Sequence, residues 1–153
     1  MSHVHEGTVV YRDLDAFRVA VERCGGVFLE GQTSFHWWGR WAGDWREAGS
    51  AFAAGRDPKT FGQCAHAFKV TGTDTRNGSS GPWSVGLVPA LDGDGFCTHY
   101  DNFGSAGKAL EAVFGAGMER LAEEYAAEVA IRQLVAAGYM TERIDAPRQT
   151  VRR

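Results

Sequence analysis

The stretch Leu91-Asp92-Gly93-Asp94-Gly95 lies between two β-favouring runs, Trp83 to Val88 and Phe96 to Tyr100. Asp-Gly between such runs supplies the positive-φ positions of a tight hairpin, so the two runs are expected to pair as antiparallel neighbours. His66 to Thr71 is a third β run, Val27 to Leu29 a fourth, and Thr8-Val9-Val10-Tyr11 within His3 to Tyr11 suits a first strand. A sheet of this kind buries one face under helices, and two helical stretches are present. Leu14, Phe17 and Val21 recur at helical spacing with Ala20 and Cys24 alongside, behind the capping residue Asp13 and ahead of the stop Gly25-Gly26. Ser105 to Ala137 is longer, broken by Gly115 and Gly117, with Leu121, Tyr125, Val129 and Leu134 along a stripe and Gly138 as its end. Tyr139 to Ile144, the Asp145-Ala146-Pro147 turn and Gln149-Thr150-Val151 predict a closing hairpin. The expectation is one α+β domain over residues 1–153, an antiparallel-rich sheet with two main helices on one face.

From Ser34 to Gly62 the periodicity dissolves, so residues 34–62 read as an insert in which only Trp45 to Ala54 suits a short helix. Four of the five tryptophans fall between Trp37 and Trp45, beside Arg40 and Arg46, with Arg56 and Lys59 following. Flat π faces interleaved with guanidinium groups suit the stacking of a base and neutralisation of its phosphate. The structural alternative is an aromatic lid over the sheet, since indoles bury large apolar areas. A protein-binding surface is the third, because Trp and Arg are favoured interface anchors.

With 16 basic and 19 acidic side chains, a net charge of −3 argues against a surface built for duplex nucleic acid. Arg143, Arg148, Arg152 and Arg153 make the C-terminus basic, with a solvated tail over about 148–153 as the expectation and a phosphate-contacting arm as the alternative. No apolar run approaches the length of a membrane helix, and Met1-Ser2-His3-Val4-His5-Glu6 has no leader pattern. Three cysteines, Cys24, Cys64 and Cys97, fit reduced thiols rather than a disulfide scaffold. Together these imply a cytoplasmic protein that makes no membrane contact. No pattern specifies an oligomeric state.

Several blocks, in order, carry a family resemblance. Met1-Ser2-His3, Arg12-Asp13-Leu14, Trp38-Gly39-Arg40-Trp41 with Gly43-Asp44, Cys64-Ala65-His66-Ala67, Tyr100-Asp101-Asn102-Phe103-Gly104, Leu121 to Tyr125 and Gly138-Tyr139 to Arg153 run nearly end to end. The chain resembles an uncharacterised group of small plastid, cyanobacterial and bacteriophage proteins, a conserved reading frame of unknown function, and looks most like the phage members. The resemblance implies a ferredoxin-like sandwich and a phage or bacterial setting, and brings no substrate or cofactor.

Cys64-x-His66 and Cys97-x-His99 repeat one spacing on expected strands, where residues i and i+2 share a face. Paired, they would offer four zinc ligands, although zinc sites usually separate their ligands by two to four residues. A thiol nucleophile at Cys64 would need a lowered pKa and an orienting group. The Gly104-Ser105-Ala106-Gly107-Lys108 helix start suits an anion, with Lys108 nearby, and equally a plain cap by Asp101 or Ser105. Asp92 to Gly95 is too short for a calcium loop. The favoured function is a non-enzymatic protein holding a planar, anionic, nucleotide-like ligand on Trp37, Trp38, Arg40, Trp41, Trp45 and Arg46, with Lys108 as a second anion contact. The alternatives are an inhibitor or adaptor docking on a host or phage protein, and a metal- or thiol-dependent enzyme.

Overall fold

In the computed structural model, residues 4–37, 55–57, 60–72 and 83–142 are described. Strand β1 (Val4–Glu6) leads to helix α1 (Leu14–Cys24), followed by β2 (Gly26–Leu29), β3 (His66–Val70), β4 (Val85–Pro89) and β5 (Phe96–Asp101). Helices α2 (Gly104–Phe114) and α3 (Glu119–Ala136) close the order, joined by a 3₁₀ turn at Ala116–Met118. The sheet is antiparallel at every pairing, in the order β1-β5-β4-β3-β2. The expected α+β class is what forms. Its strand order is a β2-to-β5 meander with β1 added beside β5, not the two interleaved strand–helix–strand units of a ferredoxin-like sheet.

Local chemistry accounts for the elements. Asp13 caps α1 by accepting from the Ala16 amide at 3.0 Å, and Gly25 stops it in the left-handed region. The helix buries Ala16, Phe17, Ala20, Val21 and Cys24, the side that faces the sheet. Phe17 is the centre of this core: its ring meets Tyr11 at 4.8 Å, Phe68 at 5.4 Å and Phe28 at 5.9 Å, mostly edge-on. Leu110 and Phe114 of α2 and Leu121 of α3 complete it. Tyr125 of α3 fixes the start of α1, its hydroxyl accepting from the Arg12 and Asp13 amides at 3.0 Å each.

Four expectations need correction. The first strand is Val4–Glu6, and of Thr8 to Tyr11 only Tyr11 returns to the sheet, as a bridge to Phe96. The long helical stretch is two helices, because Gly115, Gly117 and Met118 all take positive φ and the Gly117 amide is held by Tyr100 Oη and Glu111 Oε2. Neither Asp101 nor Ser105 caps α2: the Asp101 carboxylate accepts from the Phe103 amide, one residue ahead of the helix. Tyr139 to Glu142 forms no strand, and the rest of the expected closing hairpin, 143–153, lies outside the described residues. The same is true of the expected helix Trp45 to Ala54.

Candidate functional site

Alternation along the strands gives the sheet a second face, on which no helix packs among the described residues. Phe68, Val85, Leu87 and Tyr100 point into the helical core. Ala67, Gly86, Val88, Cys97 and His99 alternate with them, and the register sets Gly86 opposite His99, Val88 opposite Cys97 and Glu6 opposite His99.

The ends of the insert are tied down on this face. Ser34 bridges Gln63, the Phe35 amide donates to the Gly62 carbonyl at 2.9 Å, and the His36 amide donates to the buried Ser84 hydroxyl at 2.8 Å. Phe35, Trp37, Phe61 and Ala67 make a second, smaller core. Phe61 is its hinge pin, edge-on to Trp37 at 4.4 Å and to Phe35 at 5.1 Å, and stacked on the His99 imidazole at 5.6 Å with 15° between planes. Two glycines make room. Gly62 sits at φ +100, where a Cβ would come within 2.7 Å of Trp37 Nε1, and a Cβ on Gly86 would come within 2.4 Å of Phe35 Cδ1. Phe35 is fully buried. Gly86→Ala is therefore expected to lower stability by about 1–3 kcal/mol through overpacking, read as a lower urea midpoint at unchanged m-value.

Beneath the aromatic layer lies a charged cluster. Arg56 Nε donates to Glu6 Oε1, and the same oxygen takes His99 Nε2 at 2.9 Å. An Arg56 amino group also donates to the Pro89 carbonyl at 3.0 Å. Burial alone would raise the Glu6 pKa, but the His99 hydrogen bond and the Arg56 charge outweigh it and hold the carboxyl below its ordinary value. Burial pushes His99 the same way, with Arg56 adding to the effect against Glu6. A neutral imidazole facing a carboxylate through Nε2 carries its proton there, so His99 donates to Glu6. Burial also raises Cys97, and pushes the Cys64 thiol up to about 12. The Cys64 Sγ–H donates to the Gln32 carbonyl at 3.2 Å. This is the opposite of an activated thiolate.

Beside this cluster opens a pocket of about 270 Å³ lined by Thr60, Gln63, Cys64, Ala65, Val88, Pro89 and His99. Cys64 and His99 thus meet at one site. His66 does not join them. The chain bends at Ala65, so His66 faces the helical side, where it accepts from the Gly31 amide at 2.9 Å and packs against Phe28 and Phe96. The four zinc ligands considered from spacing are consequently split between faces, and among the described residues no group of three or more His, Cys, Asp or Glu side chains could hold a metal ion.

The expected ligand residues fare unequally. Trp37 is 2% exposed and belongs to the second core, the lid alternative at that position. Lys108 is exposed on α2, with the sheet between it and Trp37. Trp38, Arg40, Trp41, Trp45 and Arg46 lie outside the described residues. Sequence reasoning missed Glu6, Phe61 and Gln63, and named Arg56 only among the cations of the insert. Their one available signal was Arg56 at the end of the insert, since a cation beside an aromatic layer needs a partner.

Among the described residues no helix is long and apolar enough to cross a membrane. Comparison with known proteins finds no matching family model, no matching curated protein and no matching solved structure.

Proposed function

We propose that the protein is a small non-enzymatic binding module in which the sheet face opposite the helical core takes the planar ring of a nucleotide-like ligand. The observation that carries this is the pocket of about 270 Å³ set between β4, β5 and the tied ends of the insert. Such a volume is just under the roughly 300–1,000 Å³ of drug-sized sites and suits one ring system. Its lining mixes apolar surface from Val88, Ala65 and Pro89 with the few polar groups that fix orientation, Thr60, Gln63 and His99. The thiol of Cys64 stays protonated and the His99 proton is committed to Glu6, which favours holding a ligand over turning it over.

The anionic part of the ligand is assigned to Arg40 and Arg46, and stacking to Trp38, Trp41 and Trp45, which the sequence strings between the two anchored ends. The motif resemblance supports a phage or bacterial setting for this activity. Titration with nucleoside monophosphates should quench tryptophan fluorescence and raise the melting temperature. Trp41→Ala should weaken binding roughly tenfold or more, since stacking is worth about 1–3 kcal/mol per base. Unchanged fluorescence and melting temperature at millimolar nucleotide would overturn the proposal.

A further inference from the structure

Around the pocket between β4, β5 and the ends of the insert, nearly every hydrogen-bond donor is already engaged within the chain. The Thr60 hydroxyl donates to the Asp57 carbonyl at 2.7 Å, and the Thr60 amide donates to the same oxygen at 3.0 Å. The Gln63 amide donates to the Thr60 carbonyl, the Cys64 amide to the Thr33 carbonyl and the Ala65 amide to the Leu87 carbonyl, each at 3.0 Å. The Cys64 thiol donates to the Gln32 carbonyl and the His99 imidazole to Glu6. Val88 and His99 carry their amides within the sheet, and Pro89 has no N–H.

One donor group remains. The side-chain carboxamide of the exposed Gln63 has no hydrogen-bond partner among the described residues, so its NH2 and its carbonyl oxygen are both available to a guest. A hydroxyl that donates keeps its lone pairs, so Thr60 offers an acceptor. The bond from the Gln63 amide to the Thr60 carbonyl sets both side chains on one turn at the pocket. That turn thus presents acceptors from two side chains and a donor from one.

We propose that the ring held here is a 6-aminopurine, which makes the ligand class an adenine nucleotide. This rests on the nucleotide reading above and narrows it. The adenine amine carries two N–H donors, one for the Gln63 carbonyl oxygen and one for the Thr60 hydroxyl oxygen, while ring N7 accepts from the Gln63 NH2. A carboxamide facing the amine and N7 together is the pairing by which glutamine reads adenine. Guanine and hypoxanthine carry an oxygen in place of that amine. Their entry displaces water from the Thr60 oxygen and the Gln63 carbonyl and supplies no donor to either, which costs the desolvation of both. Cytosine bears an amine and a neighbouring ring nitrogen too, but its single ring covers less of the apolar surface of Ala65, Val88 and Pro89.

Isothermal titration of the full chain with AMP, IMP and CMP tests this. AMP should bind about 10–100-fold more tightly than IMP, from which it differs only in the group at position 6. CMP should bind more weakly than AMP. In Gln63→Leu the preference for AMP over IMP should shrink to about threefold or less, because the bidentate pair is gone. The melting temperature of the free variant should stay unchanged, since the Gln63 carboxamide supports no other described group. Equal binding of AMP and IMP overturns the adenine assignment and leaves the nucleotide reading standing, as does CMP binding more tightly than AMP. A preference that survives Gln63→Leu also overturns the assignment, because another group then reads position 6. No binding of any of the three at millimolar concentration overturns the assignment and the nucleotide reading together.

Discussion

Glu6→Ala is expected to lower the stability of the protein by about 3–5 kcal/mol, the usual cost of removing one partner of a buried charge pair. The Glu6 side chain is 12% exposed, Arg56 10% and His99 3%, so the loss leaves a guanidinium and an imidazole donor facing a site that water barely reaches. Arg56 keeps its bond to the Pro89 carbonyl, and the far end of the insert loses its tie to β1. Chemical denaturation reads the energy directly. Glu6→Gln should recover part of it, because an amide oxygen still accepts from both donors. If Glu6→Ala costs less than about 1 kcal/mol, the cluster is worth no more than a surface ion pair.

The same cluster sets a pH dependence. The folded pKa of His99 is below its ordinary 6.5 and that of Glu6 is below its ordinary 4.5, so in both cases the unfolded chain binds the proton more readily. The contribution of this cluster is therefore complete above 6.5, declines as pH falls below that value through His99, and declines again below 4.5 through Glu6. In His99→Gln the upper limb of the melting-temperature profile should flatten while the lower one persists.

Trp37→Ala is expected to cost about 3–5 kcal/mol by leaving a cavity in the smaller core. The indole stands edge-on to Phe61, and Phe61 in turn stacks on His99, so the cavity opens behind the ring that covers the charged cluster. This separates Trp37 from Trp41. Replacing Trp41 should reduce nucleotide affinity with little effect on the urea midpoint, whereas replacing Trp37 should move the midpoint first. A Trp37→Ala protein of wild-type stability would return that residue to the list of stacking candidates.

Much of the fold was legible because its signals are local. Asp13 and Gly25 bracket α1 through bonds within one turn of chain, and Asp92-Gly93 joins β4 to β5 within one hairpin. The periodicity of Phe17 and Val21 needs nothing beyond the helix to be recognised. Where the expectation slipped, a distant group decided. Gly115 and Gly117 announced an interruption, but Tyr100 and Glu111 make it a clean break by binding the Gly117 amide. Asp101 looked like a cap by proximity, yet its carboxylate accepts from Phe103.

The candidate site was legible only in part. The Trp and Arg insert drew attention to the right segment, and Cys64 and His99 were both singled out, but for a metal site with His66 and Cys97. Sequence by itself determined the α+β class, the helix limits near α1 and the hairpin, since each follows from backbone chemistry within a few residues. Tertiary structure alone decided the strand order, the bend at Ala65 that sends Cys64 and His66 to opposite faces, and the meeting of Glu6, Arg56 and His99. Those three come from positions far apart in the chain. Only the register of β1 on β5, and the burial that makes an unpaired charge costly, brings them together.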